Sequence, residues 1–238
     1  MEETASQVVA QAAAVDGPSL LQGIALFMEE GGIFMWIIFF IWTIGFAIAL
    51  ERVRALFKYD VDGPSLMGII KKHVLLNDVS KAIQSCSDTP ALLPFVLRNG
   101  LKRANQDKDQ IKDAVEASTL EVLPKVEKRM GYLALLANIS TLLGLLGTIY
   151  GLIQSFAAVA QADPASKAKL LALGISKAMN TTAFGLISAI SIMVIHSVLS
   201  NKGEKILGDI EEFSIKLVDL LGTKRPTHVP IPVTKKVS

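Results

Sequence analysis

Hydroxyls and glycines recur at helical spacing inside a stretch otherwise apolar enough for a membrane, "LLGLLGTIYGLIQSF" at residues 142–156. Projected at 100° per residue, Asn138, Thr141, Leu145, Thr148, Leu152 and Ser155 form one stripe of mostly small or polar side chains. Ser140, Gly144, Gly147 and Gly151 form a smooth second stripe beside it. In the later stretch "KAMNTTAFGLISAISIMVIH", Asn180, Thr181 and Thr182 stand together, and Thr182, Gly185, Ala189 and His196 share a face. Two readings stay open. Small residues let helices approach closely where lipid offers no hydrophobic contrast, and threonine hydroxyls bond back to their own helix, so the stripes serve packing alone. Alternatively, two helices that each show hydroxyls along one stripe line a narrow polar conduit for an ion or proton, each hydroxyl acting as donor and acceptor.

What the stripes lack is informative. None of the charge-free stretches contains Asp or Glu, so a proton path needs an acidic group from another polypeptide. Two ionisable residues flank them. Lys177 either extends its ammonium to the interface or pairs with a partner's carboxylate, and His196 is either an interfacial side chain or a relay working near neutral pH. No Gly-rich phosphate loop ending in Lys-Ser/Thr, no HExxH and no GxSxG occurs, so the chain reads as a non-enzyme with no metal and no organic cofactor. The single cysteine, Cys86, has no internal disulfide partner and reads as structural. A net charge of +2 suggests no nucleic-acid partner.

The elements that must position these residues are membrane helices. In a chain of 238 residues, 51% hydrophobic content exceeds that of an ordinary soluble domain. Residues 31–50 carry no charge and, as a helix, cover about the ~30 Å of a bilayer core. Residues 131–162 are charge-free over roughly 48 Å of helix, which must project beyond the hydrocarbon. A third span follows Lys169 and is charge-free over 178–201, with Lys177 at its leading edge. Residues 1–32 hold acids but no lysine or arginine, whereas Arg52, Arg54 and Lys58 follow the first span, Lys125, Lys128 and Arg129 precede the second, and Lys202 and Lys205 follow the third. The positive-inside rule then places the N-terminus outside and the C-terminus inside.

The expected fold class is an all-α integral membrane protein. A periplasmic segment (1–30) with a short amphipathic helix precedes transmembrane helix 1 (31–50) and a cytoplasmic helical domain (51–130). Helix 2 (131–160), a periplasmic loop (161–169), helix 3 (170–200) and a cytoplasmic helix with a flexible tail (201–238) complete it. The first residues lack the basic start and continuous apolar core of a signal peptide and read as retained. In the cytoplasmic domain, Asp88, Thr89 and Pro90 read as the cap and first turn of a helix, and Ile111, Val115, Val122 and Val126 as an apolar stripe. Pro124 is expected to kink or interrupt that last helix. "DGPSL" occurs at Asp16 and Asp62 as a turn and helix start, and the basic, proline-rich tail reads as able to lie against anionic lipid.

These residues resemble the MotA/TolQ/ExbB proton-channel family. "LLGLLGTIYGLIQSF" is similar to its LLGLLGT-x-x-G-x-x-x-x-F signature, and "GISKAMNTTAFGLISAI" at 174–190 to its G-I-x-E-A-x-x-x-T-A-x-G-L-x-x-A-I segment. "ALERVRALF" and "LPFVLRNGL" are similar to weaker family patterns. The resemblance implies a homopentamer in the bacterial inner membrane. Its pore encloses the single membrane helices of a small ExbD-, TolR- or MotB-like partner, whose aspartate takes up the proton, with sodium the lesser candidate. By motif position, Thr148 and Thr182 are the two pore threonines; Thr181, Asn180, Thr141 and Ser155 extend the ion pathway, and Gly144, Gly147, Gly151 and Gly185 pack subunits together. The family glutamate falls on Lys177, and two family prolines fall on Thr141 and Ser191, which should straighten the helices. Three spans favour the TolQ/ExbB type, a motor subunit that powers envelope transport, envelope maintenance or surface motility. The rival readings are a membrane scaffold and a self-sufficient ion channel.

Overall fold

The computed structural model describes residues 27–28, 31–87 and 89–223, and no strand occurs among them. Among the described residues the helices run in order α1 (Ile33–Tyr59), α2 (Gly63–Leu75), α3 (Val79–Ser85), α4 (Leu92–Leu101), α5 (Lys108–Glu127), α6 (Met130–Ala160) and α7 (Lys167–Gly222). Ile33–Leu75, Lys108–Ala160 and Lys167–Gly222 each contain an apolar window long enough to cross a membrane. The amphipathic helix expected within 1–30, the first "DGPSL", Asp88 and the tail beyond Thr223 lie outside the described residues.

The chain divides into two compact units. The first comprises the described residues of Met1–Ala47 together with Tyr132–Val194; the second comprises Ile48–Gly131 and the described residues of Ile195–Ser238.

In the second unit, helix starts and stops follow local chemistry. Pro64 occupies the first turn of α2, where its missing N–H costs nothing. Asp78 caps α3 by accepting the Lys81 N–H at 3.2 Å. Its bond to the Lys81 ammonium, 2.6 Å away, holds the carboxyl below its usual range. Ile111, Val115, Val122 and Val126 are buried along α5 as their spacing predicts, packing with α4 and with Leu217 of α7 into one apolar core.

One expectation fails here. The helix expected to be capped at 88–90 begins instead at Leu92, and its cap position is Ala91, which has no side-chain oxygen to offer. Of the kink or interruption expected at Pro124, no interruption occurs: α5 runs on to Glu127 and stops at Lys128, followed by Arg129 at φ 62°. Arg52 closes the end of this helix. It is 1% exposed and donates from one terminal nitrogen to the carbonyls of Lys125 (3.1 Å) and Val126 (2.8 Å), satisfying the α5 end beyond the proline. Arg52→Met, which keeps the apolar stem, is expected to lower unfolding stability by about 1.5–3 kcal/mol, the range for hydrogen bonds from a charged donor. Chemical denaturation followed by helical circular dichroism measures it.

Cys86 is buried in the same unit, and burial pushes its thiol up to about 11 against the opposing pull of Arg98. A raised acid pKa means the folded chain holds its proton after the unfolded chain has released it. This contribution to stability is complete below the ordinary thiol pKa and is lost as pH rises toward about 11. The unfolding midpoint of the wild type is therefore expected to fall more steeply over that alkaline window than that of Cys86→Ala.

Candidate functional site: the polar faces of the membrane helices

In the first unit, α6 turns its smallest residues toward α7. Gly144 faces Gly185 so closely that a Cβ built on Gly144 meets the Gly185 Cα at 3.2 Å, and one built on Gly185 meets the Ser140 carbonyl oxygen at 2.8 Å. Gly147 lies against the Thr181 side chain, and Gly151 against Ala178. All four glycines are buried within one chain. Their expected role between subunits is therefore corrected: the smooth stripe joins α6 to α7 of the same chain. Where lipid surrounds the helices, this close backbone approach replaces the hydrophobic drive that water would supply.

The hydroxyls divide between that seam and the outside. Thr182 bridges it, donating to the Gly144 carbonyl at 2.9 Å. Thr181, 1% exposed, donates to Gly31 and Lys177 carbonyls, each at 3.1 Å, so its hydroxyl is enclosed rather than presented to a conduit. Ser155 is also corrected. It is buried, donates to Gly151 at 2.7 Å and packs on Gly174, so it belongs to the glycine stripe and not to the Thr148 face. A seven-residue repeat drifts about 20° per repeat on an α-helix, which carries the 141–148–155 row into the neighbouring stripe.

Thr141 and Thr148 remain on the unfilled side. Thr141 is exposed and Thr148 half-buried, and each hydroxyl donates only to its own helix, at 3.3 Å to Ala137 and 2.6 Å to Leu145. Leu142, Leu145, Leu146, Ile149 and Ile153 around them are exposed. Asn180 is half-buried. His196, also half-buried, belongs to the second unit.

A small cavity of about 170 Å³ opens at the start of α1, lined by Gly31, Gly32, Tyr150, Gln154, Lys177 and Thr181. Gln154 donates to the Tyr150 hydroxyl at 2.9 Å. Gly32 has φ +71°, and a Cβ built on it would meet the Lys177 Cε at 3.0 Å, so a side chain there would be both strained and crowded. The Lys177 ammonium is exposed and makes no ion pair among the described residues. Sequence reasoning missed Gln154, Tyr150 and the Gly31 carbonyl, although the i, i+4 spacing of the first two was a signal. It also missed the Trp42 indole N–H, which donates to Ser191 at 2.8 Å, while Ser191 donates to the Ser188 carbonyl. The hydroxyl standing at the family proline position thus fastens α1 to α7, and both α6 and α7 continue unbroken through Thr141 and Ser191.

The sequence pattern of the MotA/TolQ/ExbB proton channel family matches residues 89–212, more than half of the chain. The chain belongs to this family. It is 26% identical over 185 residues to a putative biopolymer transport protein ExbB homolog of Methanothermobacter thermautotrophicus, a match covering 77% of this chain and 65% of that protein. It is 32% identical to the biopolymer transport protein ExbB of Salmonella typhimurium over 43% of each chain. It is 31% identical to the Tol-Pal system protein TolQ of Haemophilus influenzae over 51% of this chain and 55% of that one. The matches thus span 43–65% of the length of these relatives. The fold is similar to that of a chain in the solved structure of C. jejuni MotAB, with TM-score 0.61 and 14% identity over 94% of this chain and 87% of that one. Family membership and three apolar helices make this a multi-pass membrane protein.

Proposed function

We propose that this chain is the ring-forming subunit of a motor driven by the ion-motive force in the bacterial inner membrane. Five copies surround the membrane helices of a small ExbD-, TolR- or MotB-like partner, with the N-terminus outside and residues 51–130 in the cytoplasm. Protons move along the interface between ring and partner; no other cofactor takes part. An acidic side chain of the partner carries the proton, because the charge-free spans of this chain contain none. Moving one charge through 100 mV supplies about 2.3 kcal/mol, enough to bias a small rotation between near-equivalent contacts.

One observation carries this reading. The close approach of α6 and α7 is complete without Thr148, whose hydroxyl sits among exposed apolar residues with no partner beyond its own helix. Packing alone accounts for the glycine stripe but gives that hydroxyl no task. Facing a partner's carboxylate, its oxygen keeps a lone pair for a protonated acid and its proton can turn toward an ionised one. The test is Thr148→Val, assayed by proton uptake into vesicles that hold the chain with its partner and by the cellular output of the motor. Unchanged uptake with normal assembly overturns the assignment.

A further inference from the structure

The second unit holds a cavity of about 320 Å³ beside the start of α4. Two cations border it. The Arg98 guanidinium lies 5.8 Å from the centre of the Phe95 ring and the Lys125 ammonium 5.1 Å from the same centre, so one aromatic ring gathers two like charges. Lys125 is compensated by Glu121 at 2.9 Å, but Arg98 makes no ion pair with any described residue. Its Nε is buried and has no hydrogen-bond partner. An N–H of a charged group left unsatisfied in this way is costly.

Two further features converge on the same space. Ala91, Leu92, Leu93 and Pro94 are buried, yet no side chain caps this helix start, so its first N–H groups add partial positive charge at the cavity edge. Ser87 and Thr89 also line the cavity; the Ser87 proton is given to the Ile83 carbonyl at 3.0 Å, which leaves the Thr89 hydroxyl as the side-chain donor of the pair. Guanidinium, ammonium, the Thr89 hydroxyl and an uncapped helix start form a donor set for a tetrahedral oxyanion. We propose that this cavity binds a phosphate group of the monoester type, held chiefly by Arg98 and Lys125. The volume is at the low end for small-molecule sites, about 300 Å³ upward, and leaves room for the first atoms of the ester beyond the phosphate. A soluble phosphomonoester and the headgroup of phosphatidic acid offer the same chemistry.

Cys86 lines this cavity and is the chain's single cysteine, so it reports occupancy without labelling elsewhere. Full-length protein in neutral detergent is titrated with inorganic phosphate while Cys86 reacts with a small methanethiosulfonate, and binding of radiolabelled phosphate is followed in parallel by equilibrium dialysis. Saturable binding with slowed Cys86 modification, absent with potassium chloride at equal ionic strength, is the result expected for a soluble ligand. Slowing only when phosphatidic acid, and not phosphatidylcholine, is doped into the micelles assigns the site to the lipid headgroup. Arg98→Gln and Lys125→Gln, each checked for unchanged helical circular dichroism, are expected to weaken binding by about tenfold or more, while Lys81→Gln leaves it unchanged. The proposal is overturned if neither source binds, or if binding is the same in Arg98→Gln.

Discussion

Gly185→Leu is expected to leave little or no folded membrane unit, and even Gly185→Ala should be clearly destabilised. A Cβ at this position would sit 2.8 Å from the Ser140 carbonyl oxygen and 2.9 Å from the Gly144 Cα. Both are backbone atoms of a continuous helix and have no rotamer by which to withdraw. The methyl of alanine therefore has to push α6 and α7 apart, at a cost of about 1–3 kcal/mol for overpacking. Leucine enlarges the separation and also breaks the 2.9 Å bond from Thr182 to the Gly144 carbonyl, along with the contacts of Gly147 and Gly151 on the same seam. Size-exclusion chromatography and protease resistance in detergent measure the folded fraction. Gly208 on the same helix is the control: nothing lies within 4 Å of a Cβ there, so Gly208→Ala should be neutral or mildly stabilising through helix propensity. Equal tolerance of alanine at 185 and 208 would refute the seam.

Much of this arrangement was legible because periodicity reports which residues share a face. The three apolar helices, the apolar row of α5 and the glycine stripe of α6 all follow from spacing alone. What spacing cannot report is the surface that fills the face. The glycine stripe reads equally well as a contact between copies or within one chain, and only the position of Gly185 opposite Gly144 decides between them. Ser155 was misassigned because it lies on the boundary between two stripes, where a drift of some 20° changes its neighbours. Thr181 was read as part of the ion pathway because its acceptor, the Gly31 carbonyl, lies 150 positions away in sequence. The start of α4 shows the converse: Asp, Thr and Pro at 88–90 carry a strong local start signal, but the helix begins at Leu92, within the run of four buried residues from Ala91 to Pro94.

The same geometry separates the two family threonines as experimental targets. Thr182→Val removes a hydrogen bond between α6 and α7, so any loss of function mixes chemistry with packing. Polar bonds between membrane helices are worth about 0.6 kcal/mol on average and up to about 1.7, enough to disturb a seam built on backbone contact. Thr148→Val is cleaner. Valine keeps the branched shape, and the only bond lost is to the residue's own helix at Leu145. Assembly should therefore match the wild type, while proton uptake and motor output fall by about tenfold or more, equivalent to roughly 1.4 kcal/mol lost from the transfer step. Thr148→Ser retains the hydroxyl and should restore most of the rate, which a loss of packing at the β-branched position would not allow. If the stripes served only helix packing, valine would be neutral and serine the worse substitution. The order of the two variants thus distinguishes a conduit from a scaffold within a single assay.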